Sequence, residues 1–205
     1  MKQVFRREIL KPGVEYTVPP DGAICHLQVL DDPHGFFSEK KMFEMNTEEK
    51  WRLANWHKDC GVSLFTGGKL EWAFRQFSLA LKYIISLAHS IPKQQHDSQE
   101  MNINQFRIIL YLNMSVCQLK VKNYQHAYEN ASKALTISPK NSKGLYRRGT
   151  ALMHLQEYEK SLVDLKAARE LEPGNVQIED AFRELRVRMR ALDKKYATAM
   201  KKMFS

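Results

Sequence analysis

The sequence predicts an all-α solenoid of stacked helix pairs, and three observations carry that reading. Residues recur at a spacing of 34: Tyr111 with Leu145, Ser115 with Gly149, Tyr124 with Tyr158, Ala127 with Ser161, Ala134 with Ala168 and Pro139 with Pro173. From about Asn46 onward Pro and Gly nearly vanish from segment interiors and apolar residues take helical spacing. Small residues fall where two paired helices would cross, and a proline closes each unit because it cannot extend the preceding helix.

Together these features mark a tetratricopeptide repeat, a helix–turn–helix unit of about 34 residues. Two copies end at Pro139 and Pro173, and an earlier one runs from about Ala54, with Gly61, Leu64, Ala73, Phe77 and Ala80 at matching offsets. That first copy has a longer second helix, followed by a stretch from Ser86 to about Gln105, rich in Ser, His and Gln, that reads as an insertion. Three units meet the minimum for stable stacking, and a long helix after Pro173 caps the last. The predicted division is a short β or irregular segment at 1–45, three repeats at 46–174 and a basic amphipathic helix at 175–205. In the first segment, turn signals at Lys11-Pro12-Gly13, Pro19-Pro20-Asp21-Gly22 and Asp31-Asp32-Pro33 bound strand-like runs at Val4–Leu10 and Ala23–Leu30.

The chain has 205 residues, of which 43% are hydrophobic and 27% charged, which suits a globular protein with a real core. No run of apolar residues is long enough for a membrane span, and the first residues lack the apolar core of a secretory signal. Cys25, Cys60 and Cys117 form no metal or disulfide pattern, so a reducing compartment is expected, cytoplasmic with nuclear access. The net charge of +9 is unevenly placed: residues 183–205 hold eight basic residues against Glu184 and Asp193, leaving only +3 on the rest. Without an even basic surface or an aromatic stacking platform, nucleic acid is not the expected partner. The seven histidines are scattered and no nucleophile–base set has motif support, so no catalytic residue, metal or cofactor is expected. His57 reads as a packing residue.

A solenoid of helix pairs lines its concave face with the first helix of each pair, so binding residues are sought there. Lys58, Asn113, Lys143 and Arg147 all fall on first helices, and Lys143 and Arg147, four apart, share one helix face. Any one of them alone is more simply a solvated side chain; their shared placement singles them out. Cationic and amide donors in one groove suit a chain end, whose two carboxylates need several fixed donors to replace lost water. Each charge-assisted bond contributes on the order of 1.5–3 kcal/mol, and ordering the peptide offsets much of it, so roughly micromolar binding is expected.

Leu112–Lys120 and Lys143–Gly149 resemble the repeat domain of the large FKBP-type immunophilins, a chaperone-associated prolyl-isomerase family. Phe43–Lys50 resembles that family's lead into its first repeat helix, and Lys194–Phe204 its last helix, so the resemblance covers about residues 40–204. It implies a carboxylate clamp at Lys58, Asn113, Lys143 and Arg147 for the acidic Met-Glu-Glu-Val-Asp tail of Hsp90 and, in some members, Hsp70. The slot at Val62 is commonly Asn in clamp domains; valine donates no hydrogen bond, so weaker binding is expected. Phe5–Tyr16 and Pro20–Ala23 resemble the opening strands of an FKBP domain, most of which has no counterpart here, so isomerase activity is expected to be absent. The expected role is a non-catalytic co-chaperone adaptor; the alternative is a scaffold for a kinase or receptor client.

The last helix has three readings. Phe182, Leu185, Met189, Leu192, Tyr196, Met200 and Met203 form one apolar stripe among basic residues. A plain capping helix is one reading. A calmodulin target or acidic-membrane contact is another, and contact with an acidic surface of the chaperone is the third. Arg186, Arg190, Lys194, Lys195 and Tyr196 would carry the calmodulin or chaperone contact.

Overall fold

A computed structural model describes residues 42–88 and 96–203, with backbone alone at 96–99. The expected N-terminal strands, and the FKBP-like residues with them, lie outside the described residues. A short 3-10 turn at Met42–Glu44 leads into α1 (Thr47–Thr66). Asn46 caps α1: its Oδ1 accepts from Glu49 N at 2.8 Å while Glu49 Oε2 accepts from Asn46 N at 2.9 Å. This capping box satisfies donors that the first turn cannot pair internally.

Six further helices follow: α2 (Leu70–Ala88), α3 (His96–Lys120), α4 (Tyr124–Ile137), α5 (Ser142–His154), α6 (Tyr158–Leu171) and α7 (Val176–Met203). Helices α1/α2, α3/α4 and α5/α6 pack as pairs, successive pairs stack, and α3 also meets α5, so first helices line one side. No strand occurs among the described residues. The stretch expected as an insertion from Ser86 to Gln105 is corrected here: α2 continues to Ala88 and α3 already begins at His96. Ile103 and Phe106 give that extension of α3 an apolar face, and both are buried against the first pair.

The small residues do what their period implied. A Cβ on Gly61 would lie 2.5 Å from Phe77 Cε1, and one on Gly149 would lie 2.9 Å from Leu165 Cγ, so α1/α2 and α5/α6 touch backbone to side chain. In the middle pair the place of glycine is taken by Ser115, whose buried Oγ donates to Ala127 O at 2.9 Å. In the last pair the hydroxyl comes from the opposite helix, Ser161 Oγ donating to Gly149 O at 2.8 Å. Fully buried Phe77, Ile84, Leu110 and Leu165 fill the space around the crossings, each contributing roughly 1.5–3 kcal/mol by its removal from water.

The three turns inside the pairs share one backbone pattern. Lys69 N, Asn123 N and Glu157 N donate to Leu64 O, Gln118 O and Leu152 O, and the preceding Gly68, Lys122 and Gln156 donate to Phe65 O, Leu119 O and Met153 O. This is the Schellman closure, which needs a left-handed residue after the helix. Gly68 takes φ 75° without strain, but Lys122 and Gln156 are held at 60° and 66°.

Two histidines are built into the packing. His57 Nδ1 lies 2.6 Å from Gln76 Oε1 and its ring stacks on Tyr83, while His154 stacks on Tyr124 with centroids 4.2 Å apart. Burial holds both imidazoles below their ordinary 6.5; the Gln76 bond opposes this at His57, and Arg188 adds to it at His154.

Relief of the left-handed strain predicts that Lys122→Gly and Gln156→Gly each raise stability by up to about 1 kcal/mol, and Gly68→Ala lowers it by a similar amount, read from urea midpoints. The histidines predict a pH dependence of fixed sign. Below 6.5 the unfolded chain takes up protons that the folded chain refuses. Stability present above that value is therefore lost as the pH falls through it, and a His57→Gln, His154→Gln variant shows a smaller loss between about pH 7.5 and 5.5.

Candidate functional site

Helices α3, α5 and α7 enclose a groove of about 570 Å³. Val116, Leu119 and Lys120 of α3 line one side, Lys143, Tyr146, Arg147 and Thr150 of α5 the base, and Glu172, Asn175, Ile178 and Ala181 the side formed by the α6–α7 link and α7. Asn141 caps α5 by accepting from Gly144 N at 2.9 Å, which sets the start of the helix that presents Lys143 and Arg147.

Arg147 is the most constrained of the expected residues. It crosses to α3, where Nη1 donates to Leu112 O. Burial presses its pKa below the ordinary guanidinium value, but a guanidinium remains charged. One donor is thus used to fix the group, and the others meet no protein acceptor among the described residues. Lys143, one turn earlier, is exposed and forms no ion pair among the described residues. Together they present a fixed and a mobile cation to the same cavity.

The other two expected residues are placed differently. Asn113 follows the Leu112 that anchors Arg147 and is half-buried on α3, but it does not line the cavity. Lys58 also lies outside the lining. Its ammonium sits 3.2 Å from Asp59 Oδ1, 3.4 Å from Asn55 Oδ1 and 5.3 Å from the Phe106 ring centroid on α3. The four therefore divide into a cavity pair on α5 and two residues along α1 and α3. Val62, one turn after Lys58, is exposed.

Lys120 lines the cavity and was not singled out from the sequence, although it stands seven residues after Asn113 on one face of α3. Its ammonium lies 5.1 Å from the Phe65 ring centroid. Tyr146 and Glu172 also line the cavity, with no pattern in the sequence to mark them. Cys117 is buried nearby, and burial pushes its thiol up to about 11 against the pull of Arg147 and Lys120, which leaves it unreactive.

Arg148 turns the other way. Its Nε and Nη2 each donate at 2.7 Å to Asp164 of α6, whose side chain is only 6% exposed. That bidentate bond raises the Arg148 pKa and ties α5 to α6. On α7, Ile178, Ala181, Phe182 and Leu185 are buried, as a capping stripe requires. From Asp193 to Met203 every residue is exposed, and Arg186, Arg190, Lys194, Lys195 and Tyr196 all face solvent. Among the described residues no cluster of His, Cys, Asp or Glu could hold a metal ion, and no helix is long and apolar enough to cross a membrane.

Removing one member of the bidentate pair strands the other, so Asp164→Ala should cost on the order of 2 kcal/mol, less than a fully buried pair because Arg148 remains partly exposed. Lys143→Ala, at an exposed position, should change stability by under about 0.5 kcal/mol. Urea unfolding of the two variants checks that Asp164 carries structural charge and Lys143 does not.

No protein-family model matches the chain. The rat peptidyl-prolyl cis-trans isomerase FKBP4 (Rattus norvegicus) is 29% identical over 163 residues, which is 78% of this chain and 33% of that protein. This chain therefore spans about a third of the length of that relative. Among solved structures, the C-terminal TPR-containing domain of a Plasmodium falciparum FK506-binding protein aligns with TM-score 0.68 at 26% identity, covering 75% of this chain and 99% of that one. The Hsp90 co-chaperone Cns1 from Saccharomyces cerevisiae aligns at 0.61 with 24% identity, covering 75% of this chain and 45% of that one. The first TPR of Spaghetti (RPAP3), bound to the HSP90 peptide SRMEEVD, aligns at 0.54 with 19% identity, covering 68% and 95%. The last two share the fold. The helix pairs, their crossings and the matched relatives agree: this chain matches the tetratricopeptide-repeat region of FKBP-type immunophilins.

Proposed function

We propose that the chain is a non-catalytic co-chaperone adaptor whose groove holds the acidic C-terminal tail of an Hsp90-type or Hsp70-type chaperone. The observation that supports it most is Arg147, fixed on Leu112 O beside the cavity with Lys143 one turn away. A half-buried guanidinium with free donors and an exposed ammonium suit two carboxylates on one peptide end. Lys58 and Asn113 extend the donor set along α1 and α3, toward the peptide's last residue and backbone. The solved repeat domain that carries SRMEEVD supports the same ligand class, as does the co-chaperone description of Cns1. The non-catalytic part of the reading rests on the matched region of FKBP4, which is its repeat region.

Titration of the chain with SRMEEVD as the free acid and as the C-terminal amide tests the reading. The acid is expected to bind at roughly micromolar affinity and the amide at least tenfold more weakly, with Arg147→Ala or Lys143→Glu costing a similar factor. Equal binding of acid and amide would leave the alternative, a client scaffold that uses this surface without a chaperone tail.

A further inference from the structure

The cavity beside Lys143 and Arg147 is not uniformly basic. Facing them across it are Glu172, Asp180 and Glu184. Because α5 and α6 run antiparallel, the start of one adjoins the end of the other, with Ser142 Oγ donating to Ala168 O at 3.5 Å. Lys143 therefore stands in the first turn of α5 and Glu172 directly after α6. Lys143 has the sign of the helix end it occupies, which weakens rather than supports α5, while Glu172 stands between the end of α6 and the start of α7.

The three carboxylates are not equivalent. Asp180 is paired with Arg183 at 2.9 Å and Glu184 with Arg188 at 2.6 Å, both on the exposed surface of α7. Glu172 instead accepts from the neutral Asn175 amide at 2.7 Å, which orients the carboxylate and leaves its charge uncompensated among the described residues. The groove thus has a cationic wall from Lys120, Lys143 and Arg147 and one oriented anion opposite.

We infer that Glu172 is a specificity residue of the groove, selecting peptides that carry a Lys or Arg a few residues before their acidic end. This rests on the carboxylate-clamp reading: the terminal carboxylates meet Lys143 and Arg147, and the upstream cation meets Glu172. A tail acidic throughout its length meets repulsion there.

The test uses nonapeptides ending in Met-Glu-Glu-Val-Asp, with one arginine moved through the first four positions and compared with alanine at each. The intact chain should prefer the arginine peptide about three- to fivefold at one or more positions, a preference that fades at about 0.5 M salt. Glu172→Gln should equalise the pair and Glu172→Lys should reverse it. No preference at any position, or a preference that survives in Glu172→Gln, overturns the inference. If the free acid still outbinds the amide in that case, the clamp stands and only the role of Glu172 fails. Equal binding of acid and amide by the intact chain removes both.

Discussion

Everything in this fold depends on how closely the two helices of a pair approach. Ser115 meets Ala127 and Ser161 meets Gly149 across the same twelve-residue separation, and a Cβ at Gly61 or Gly149 would come within 3.0 Å of Phe77 or Leu165. A bulkier side chain there would force the second helix outward, at a cost of roughly 1–3 kcal/mol. The displacement would not stay local, because α3 and α5 also touch each other. The bond from Arg147 to Leu112 O spans that contact, so the groove inherits its geometry from the crossings.

Arg147 and Arg148 show how little residue type decides. They are adjacent and chemically identical, yet one is fixed by a backbone carbonyl and faces a cavity, while the other is matched by a buried carboxylate. The first is under-satisfied and available; the second is satisfied and structural. Helical geometry makes the division, since neighbours in sequence point about 100° apart on a helix of 3.6 residues per turn. The same geometry places Asp164 where Arg148 can reach it and leaves Arg147 without a carboxylate among the described residues.

Much of this was legible in the sequence because it repeats. The spacing of 34 located the small residues at the last two crossings, and the change to helical spacing from about Asn46 located the start of α1. Lys143 and Arg147 were readable as a pair because four residues is a helical turn. Other features carried no such signal. Nothing in Lys122 or Gln156 announces a left-handed backbone, which the turn imposes on them. The reach of α3 back to His96 was hidden by a polar composition that resembles a loop, while Ile103 and Phe106 supplied its buried face. Glu172 was invisible because its role comes from the antiparallel return of α6, a relation between elements rather than within one.

The second and third units keep the shared period, whereas the first and second are offset by a longer interval: Gly61 to Ser115 and Gly68 to Lys122 both span 54 positions. The crossings and turns on either side are nonetheless alike. The surplus lies wholly in the link between pairs, in an α2 of 19 residues and an α3 of 25 beside an α4 of 14 and an α5 of 13. Chain length is thus free to vary at the joint between units while it is fixed within them. The architecture separates where a repeat protein of this kind can grow from where it binds.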